Sequence, residues 1–298
     1  MPLANINSIS INYEFQRAAR DSSQTVVLVN GLADDLNTWD LQVPALAEAG
    51  YSVLRYDNRG IGRSASPAGP YTSQMLADDL HALLKHTGTT RFHLIGVSMG
   101  GMIAQTYALS YPNGSTLADG HEMLSVSLCC TYAEPTNFCS RMFDLWADMA
   151  VRMSIQDVMK DVILWCFTVS FFRTRTSDLI EIDQAMEQLS MSQEAYLAQL
   201  NVIRTFDTTE SLKQLHVQQQ ALGNLDKSKV LVLAGEEDIL IPTQLSRELH
   251  ELLAGSNWKT VRGGHGCTVS GFYILASPSD ILLSWNSQTT STLLFCLS

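Results

Sequence analysis

The chain has 298 residues, of which 46% are hydrophobic and 16% are charged, a balance typical of a globular enzyme and not of a disordered chain. Its formal net charge of −11 argues against nucleic acid or an anionic membrane as a partner, because phosphate binding needs clustered Lys and Arg. The length suggests one large domain, or one domain that carries an insertion. We expect a small-molecule substrate and a monomer or homodimer.

Residues 1–7 lack the basic and apolar regions of a signal peptide, and no apolar run approaches the roughly 18 residues that a membrane-spanning helix needs. The six cysteines form no Cys-x-x-Cys pair, so we expect buried free thiols and a cytoplasmic location. No set of His, Cys and carboxylates has metal-ligand spacing, so neither a metal nor a cofactor is expected.

The first 131 residues alternate predicted strands with predicted helices over short connections. Apolar, β-branched runs predict strands at 9–15, 24–29, 51–56, 91–95 and 124–131. Between them, helical patterns follow a cap at Asn37 or Thr38, run from Thr72 or Ser73 to Gly88, and run from Met99 to Tyr111. This alternation predicts an α/β fold with a mainly parallel central sheet and helices on both faces.

From residue 135 to 223 the pattern becomes helical and rich in large apolar side chains, with no convincing strand. Strand and helix alternation then resumes, with predicted strands at 229–234 and 258–261 around a predicted helix at 244–253. We therefore divide the chain into an α/β core, 1–134 and 224–298, and a helical insertion, 135–223. The tail, 267–298, is atypical because Asp280 is its one charged residue.

A Gly-x-Ser-x-Gly motif spans Gly96 to Gly100, between a predicted strand and a predicted helix. In that context the motif predicts a nucleophile elbow, a tight turn in which Ser98 takes a strained backbone conformation and presents its Oγ. The competing interpretation is a glycine-rich turn that holds an ordinary serine. His93, on the preceding strand, is predicted to be a packed core histidine.

Serine becomes a nucleophile when a base accepts its proton and a third group orients that base. After an elbow of this kind the acid and then the histidine are expected in loops behind later strands. Asp238 follows the 229–234 strand, and His265 follows the 258–261 strand between two glycines. We predict Ser98, Asp238 and His265 as catalytic residues; the carboxylates that remain as rivals of Asp238 are Glu236, Glu237 and Glu134.

Acyl transfer also needs hydrogen-bond donors where negative charge develops on the carbonyl oxygen. The backbone N–H of Met99, at the start of the helix, is one predicted donor. The N–H of Leu32, in the loop after the 24–29 strand, is the second, and Gly31 allows close approach there. Asp34 and Asp35 in this loop are interpreted as solvated or capping residues.

Together these motifs resemble the α/β-hydrolase superfamily over about residues 9 to 266. They are Asn30-Gly31-Leu32, the loop 57–64, Gly96-Val97-Ser98-Met99-Gly100-Gly101, Asp238 and Gly264-His265-Gly266. The stretches 39–46, 56–64, 69–71 and 98–105 look most like the enol-lactonase and esterase-like group (3-oxoadipate enol-lactonase relatives). Three features depart from the family pattern: Asn30 in place of His, Val97 before the nucleophile, and a tail that does not read as a closing amphipathic helix.

The resemblance implies an α/β-hydrolase fold in which the 135–223 insertion is a helical cap over the active site. Trp146 and Trp165 are candidates for the substrate pocket, which we expect to be mainly apolar. The leading hypothesis is a serine hydrolase that cleaves a carboxylic ester or lactone through an acyl-enzyme. Alternatives are a carbon–carbon bond hydrolase or an acyltransferase with the same triad, and a non-hydrolytic ligand-binding receptor of the same fold.

Overall fold

The computed structural model describes residues 2–18, 24–113 and 120–268. Its core is a sheet of eight strands in the order β1-β2-β4-β3-β5-β6-β7-β8, in which β2 runs antiparallel to its neighbours and the other pairings are parallel. The predicted, mainly parallel sheet is therefore confirmed. The strands are β1 Leu3–Ile6, β2 Ile9–Gln16, β3 Thr25–Val29, β4 Ser52–Tyr56, β5 Arg91–Val97, β6 Glu122–Cys129, β7 Val230–Gly235 and β8 Asn257–Val261.

Helices flank this sheet and fill the long connection between β6 and β7. In the described part of the chain the α-helices are α1 Gln42–Glu48, α2 Ser73–Thr87, α3 Met99–Ser110, α4 Asn137–Ala150, α5 Ile155–Cys166, α6 Val169–Thr174, α7 Thr176–Glu187, α8 Gln193–Thr205, α9 Thr209–Val217 and α10 Thr243–Leu252. Short 3-10 helices lie at Leu36–Trp39, Leu222–Asn224, Lys227–Lys229 and His265–Thr268. None of the described helices is long and apolar enough to cross a membrane.

The central strands are apolar because both of their faces are covered. All five residues of β3 are buried, and they alternate between two cores. Val27 and Val29 pack into the core on the side of α2 and α3. Val26 and Leu28 pack on the opposite face with Trp39. An alternating strand that is apolar on both sides belongs in the middle of a parallel sheet, which is where β3 lies.

Three local predictions have different outcomes. The α2 boundaries are confirmed: the Thr72 side chain accepts a hydrogen bond from the Met75 N–H, and Gly88 ends the helix in the left-handed region at φ 67°. The cap predicted at Asn37 or Thr38 is wrong, because Asp35 caps a separate 3-10 helix there. Strand β1 was not predicted, since four residues are too few to show a period.

The segment from 135 to 223 is described throughout, and it contains helices and no strand, as predicted. It connects β6 to β7, which are neighbours in the sheet. Its division from the core as a separate unit stays a prediction. The prediction about the tail, 267–298, falls on residues that lie outside the described part of the chain beyond Thr268.

Candidate active site

Ser98 occupies the turn between β5 and α3 with φ 55° and ψ −120°. A non-glycine residue in this region carries about 1–3 kcal/mol of strain and needs a surrounding that enforces it. Two contacts enforce this conformation. The Ser98 N–H donates to the Cys129 backbone oxygen at 2.9 Å, and a Cβ on Gly96 would overlap the backbone of Gly100. The strained elbow predicted from the motif is therefore present.

Two backbone N–H groups near Ser98 make no hydrogen bond within the described chain. Neither the Leu32 N–H nor the Met99 N–H donates to an acceptor among the described residues. Met99 is the first residue of α3, where the helix dipole adds partial positive charge. A Cβ built on Gly31 would lie 3.5 Å from Ser98 Cβ, so the Leu32 loop passes directly beside the nucleophile. Leu32 also lines the same cavity as Ser98.

The loop that carries Leu32 is held by two amides. Asn30, where the resemblance implies a histidine, donates from Nδ2 to the Asp34 backbone oxygen at 3.2 Å. Its Oδ1 accepts from the Trp39 indole N–H. Gln199 of α8 is fully buried, and its Oε1 accepts from the Ala33 N–H at 3.0 Å. Ala33 lies in the left-handed region at φ 58°. Sequence reasoning missed Gln199, although it lies within the buried stripe of α8.

Asp238 and His265 meet behind the nucleophile. His265 Nδ1 and Asp238 Oδ2 lie 2.9 Å apart, and both side chains are buried. The other carboxylate oxygen, Oδ1, accepts the N–H groups of Leu240 and Ile241 at 3.0 and 2.9 Å. The Asp238 and His265 loops are joined by a backbone bond from Glu237 N–H to the Gly263 oxygen at 2.9 Å. His265 is thus held by Asp238 through Nδ1, and its Nε2 makes no hydrogen bond to another described residue.

The rival carboxylates lie elsewhere. Glu236 and Glu237 are exposed beside Asp238, and Glu134 is exposed at a separate surface pocket. His93 is a buried core histidine, as predicted, with Nδ1 2.7 Å from the Ser125 hydroxyl.

Cys130 packs against this acid–base pair. Among the described residues its Sγ, an oxygen of Asp238 and a ring nitrogen of His265 lie within 4.8 Å of one another, a proximity that sequence spacing did not reveal. The Asp238 oxygens in this set are bonded to His265 and to two backbone N–H groups. The Cys130 and Cys267 sulfurs lie 3.7 Å apart as free thiols.

Ser98 and His265 line one cavity of about 190 Å³. No hydrogen bond joins the Ser98 and His265 side chains. The roof of the cavity comes from the helical segment and is apolar, with contributions from Phe143, Trp146, Met159, Val162, Ile163, Phe167, Ile182, Met186 and Ile203. Trp146, a predicted pocket residue, therefore lines this cavity.

Trp165, the second predicted pocket residue, does not line this cavity. Its indole N–H donates to Asp161 Oδ2 at 3.2 Å, and its ring packs edge-on against Phe138 at 6.1 Å between centroids. Apolar content along α5 could not show which face of the helix meets the cavity.

Asp34 also departs from its interpretation as a solvated loop residue, whereas Asp35 is a helix cap as expected. The Asp34 side chain lines the cavity, and a Cβ on Gly31 would lie 2.9 Å from its Oδ2. Asp34 is half-buried, and desolvation of its carboxyl, together with the charge of Asp35, raises its pKa from 3.8 to about 7, while His265 opposes the shift. The carboxyl group makes no hydrogen bond to another described residue.

The fold and this site define the class of the protein. Residues 24–266 match the sequence profile of the alpha/beta hydrolase fold family, so the chain belongs to that family. The resemblance and the fold predicted from the motifs are confirmed.

The chain is also similar to individual proteins of this fold. The chain is 27% identical over 254 residues to a putative carbamate hydrolase RutD of Yersinia enterocolitica, covering 84% of this chain and 83% of the relative. The crystal structure of an enol-lactonase from Burkholderia xenovorans LB400 superposes with a TM-score of 0.75 at 26% identity, over 90% of this chain and 94% of that one. A thermophilic esterase from Thermogutta terrifontis shares the fold with a TM-score of 0.73 at 23% identity, over 90% and 92% of the two chains.

Proposed function

We propose that this protein is a serine hydrolase that cleaves a carboxylic ester or lactone of a small, largely apolar molecule through an acyl-enzyme. The observation that carries the proposal is one cavity that holds a strained serine, a histidine oriented by a buried aspartate, and two open backbone N–H groups. Its volume of about 190 Å³ lies below the range of drug-sized ligand pockets, which favours a small acyl group.

The reaction begins when the Ser98 hydroxyl attacks the carbonyl carbon and His265 Nε2 accepts its proton. Asp238 stabilises the imidazolium because its carboxylate is bonded to Nδ1. The carbonyl oxygen becomes an oxyanion and accepts hydrogen bonds from the Leu32 and Met99 N–H groups. When the intermediate collapses, the C–O bond to the alcohol breaks and His265 returns the proton to the leaving oxygen. Water then repeats the sequence on the acyl-enzyme and releases the acid.

The helical segment acts as a cap in this proposal, because its apolar side chains cover the cavity that contains the nucleophile. Carbamates belong in the test as well as esters, since a relative is named a putative carbamate hydrolase and attack at a carbamate carbonyl uses the same groups. We also propose a cytoplasmic location, since the five cysteines of the described chain are free thiols, as a reducing compartment keeps them.

A fluorophosphonate probe tests the nucleophile, because it labels only an activated serine. We expect wild type to be labelled and Ser98→Ala to be unlabelled. Ser110→Ala is the matched control, since Ser110 is an exposed serine at the far end of the same helix, and it should be labelled like wild type. Equal labelling of Ser98→Ala and wild type, or no labelling of either, contradicts the proposal; the second result would favour a ligand receptor.

A panel of esters, lactones and carbamates tests the bond. Ser98-dependent hydrolysis of at least one neutral ester or lactone is expected. Labelling without hydrolysis of any member of the panel would instead favour carbon–carbon cleavage or acyl transfer by the same residues.

A further inference from the structure

The cavity contains one ionisable group that the proposed reaction does not use. Asp34 lies on the Leu32 loop, and its Oδ2 and Ser98 Cβ lie 2.9 Å and 3.5 Å from the same point, the position of a Cβ on Gly31. The carboxyl group is thus close enough to Ser98 to meet the substrate within a few bonds of the scissile carbonyl.

No Lys or Arg of the described cavity lining neutralises this group once it ionises. The described lining of the cavity contains no Lys or Arg, and most of it is apolar. The titratable groups that face Asp34 are Asp35, the Cys166 thiol and His265. Asp35 repels a second negative charge. His265 supplies positive charge only after it has accepted a proton, and the proposed base must start neutral.

An ionised carboxylate in an apolar cavity without a counter-ion is costly, and residues of this kind are found where a ligand completes the pair. The partner that the cavity lacks is a cation with N–H groups, because Asp34 would then gain both a charge and hydrogen bonds. A second carboxylate brought beside Asp34 would be repelled.

We propose that Asp34 is the specificity-determining residue of this site, and that it selects acyl groups carrying an ammonium group over acyl groups carrying a carboxylate. The inference rests on the proposed function for its kinetic test, while its binding test does not need turnover.

Three benzyl esters isolate the charge: the β-alanine ester carries an ammonium, the butyrate ester a methyl and the succinate monoester a carboxylate at the same position. For wild type at pH 8 we expect kcat/KM to be about 10- to 100-fold higher for the ammonium ester than for the butyrate ester, the range of a charge-assisted hydrogen bond. In Asp34→Asn this ratio should fall towards one, and kcat/KM for the succinate monoester should rise relative to kcat/KM for the butyrate ester.

Lowering the pH gives a second reading. Because the pKa of Asp34 is about 7, the ammonium-to-butyrate ratio of kcat/KM should fall about tenfold between pH 8 and pH 6. Any loss of rate that the two esters share divides out of the ratio. Asp35→Asn is the matched control at pH 8, because Asp35 lies outside the cavity lining. Removing the Asp35 charge lowers the pKa of Asp34, which is ionised at pH 8 in either case, so the ratio at pH 8 should remain that of wild type.

Titration of the β-alanine and butyrate esters into Ser98→Ala, with and without Asp34→Asn, measures the same selectivity as binding. A preference for the ammonium ester that Asp34→Asn abolishes supports the inference. An unchanged ratio in both experiments overturns it. If hydrolysis depends on Ser98 while Asp34→Asn leaves the ammonium-to-butyrate ratio unchanged, only this inference fails. If hydrolysis is independent of Ser98, the proposed function fails, and the binding titration still decides the role of Asp34.

Discussion

Replacing Gln199 with leucine should disconnect the loop that carries Leu32 and Ala33 from α8. The Gln199 side chain is fully buried, with Oε1 3.0 Å from the Ala33 N–H and Nε2 2.8 Å from the Arg59 oxygen. Leucine has a similar volume and no polar atom, so the substitution opens little space. It leaves the Ala33 N–H and the Arg59 carbonyl without their partner.

Each buried polar group that loses its partner costs about 1–3 kcal/mol, so Gln199→Leu should destabilise the fold by about 2–6 kcal/mol. Ala33 holds a left-handed conformation one residue after Leu32, so loss of its anchor also displaces the Leu32 N–H. Loss of one oxyanion donor typically costs 10²–10³ in kcat. We expect kcat of the folded variant to fall at least about tenfold.

Gln105 provides a control of equal chemistry. It is also fully buried, and it donates to the Tyr132 oxygen at 2.9 Å and accepts from the Thr208 hydroxyl at 3.0 Å, away from the oxyanion loop. Urea unfolding should show similar losses for Gln199→Leu and Gln105→Leu. The rate of fluorophosphonate labelling and kcat, measured well below the unfolding midpoint, should fall only for Gln199→Leu. Equal kinetics in the two folded variants would refute the role of Gln199 in positioning Leu32.

Three further changes test the elbow and two titrating groups. Gly96→Ala forces a Cβ into the Gly100 backbone and should abolish folded expression, whereas Gly88→Ala should lose only about 1–2 kcal/mol in urea unfolding, because nothing crowds that Cβ and the cost is its left-handed φ alone. Burial, with Lys229 and Arg91 nearby, lowers the pKa of His93 from 6.5 to about 4. The free energy of unfolding of wild type should therefore fall by about 3 kcal/mol as the pH falls from 7 to 4. In His93→Gln this part of the pH dependence should vanish, and its persistence would show that His93 does not cause it. The pKa of Asp34 is raised in the fold, so its ionisation destabilises the protein as pH rises from 4 through 7; Asp34→Asn should be more stable than wild type by about 2–4 kcal/mol at pH 8 and equally stable at pH 4, and no difference at pH 8 would contradict a desolvated carboxyl.

The positions of Ser98, Asp238 and His265 could be predicted because each depends on local order alone. A residue that follows a parallel strand lies at the carboxyl edge of the sheet, so three strand ends bring three loops together without knowledge of the packing. The Leu32 and Met99 N–H groups follow from the same reasoning, since both are backbone groups at such ends.

Side chains that act across the chain could not be placed in this way. Gln199 is 166 residues from the loop that it holds, and nothing in its spacing connects the two. The available signal was a polar residue inside the buried stripe that includes Tyr196 and Leu200. Asp34 and Asp35 are identical and adjacent, yet one lines the cavity and the other caps a 3-10 helix, a difference that the sequence of the loop does not show.

The order in which the strands appear along the chain has a consequence for synthesis. The strained serine sits after β5 and is held by β6, so a nascent chain of about 130 residues already contains everything that shapes the turn. Its base arrives 167 residues after the nucleophile, on a loop that needs β8 to dock on β7. A ribosome-bound chain therefore carries an inert serine until nearly all of the sheet has been made. In the proposed reaction, hydrolysis therefore requires the chain up to His265, and a product that stops at residue 264 would contain all eight described strands and still lack the base.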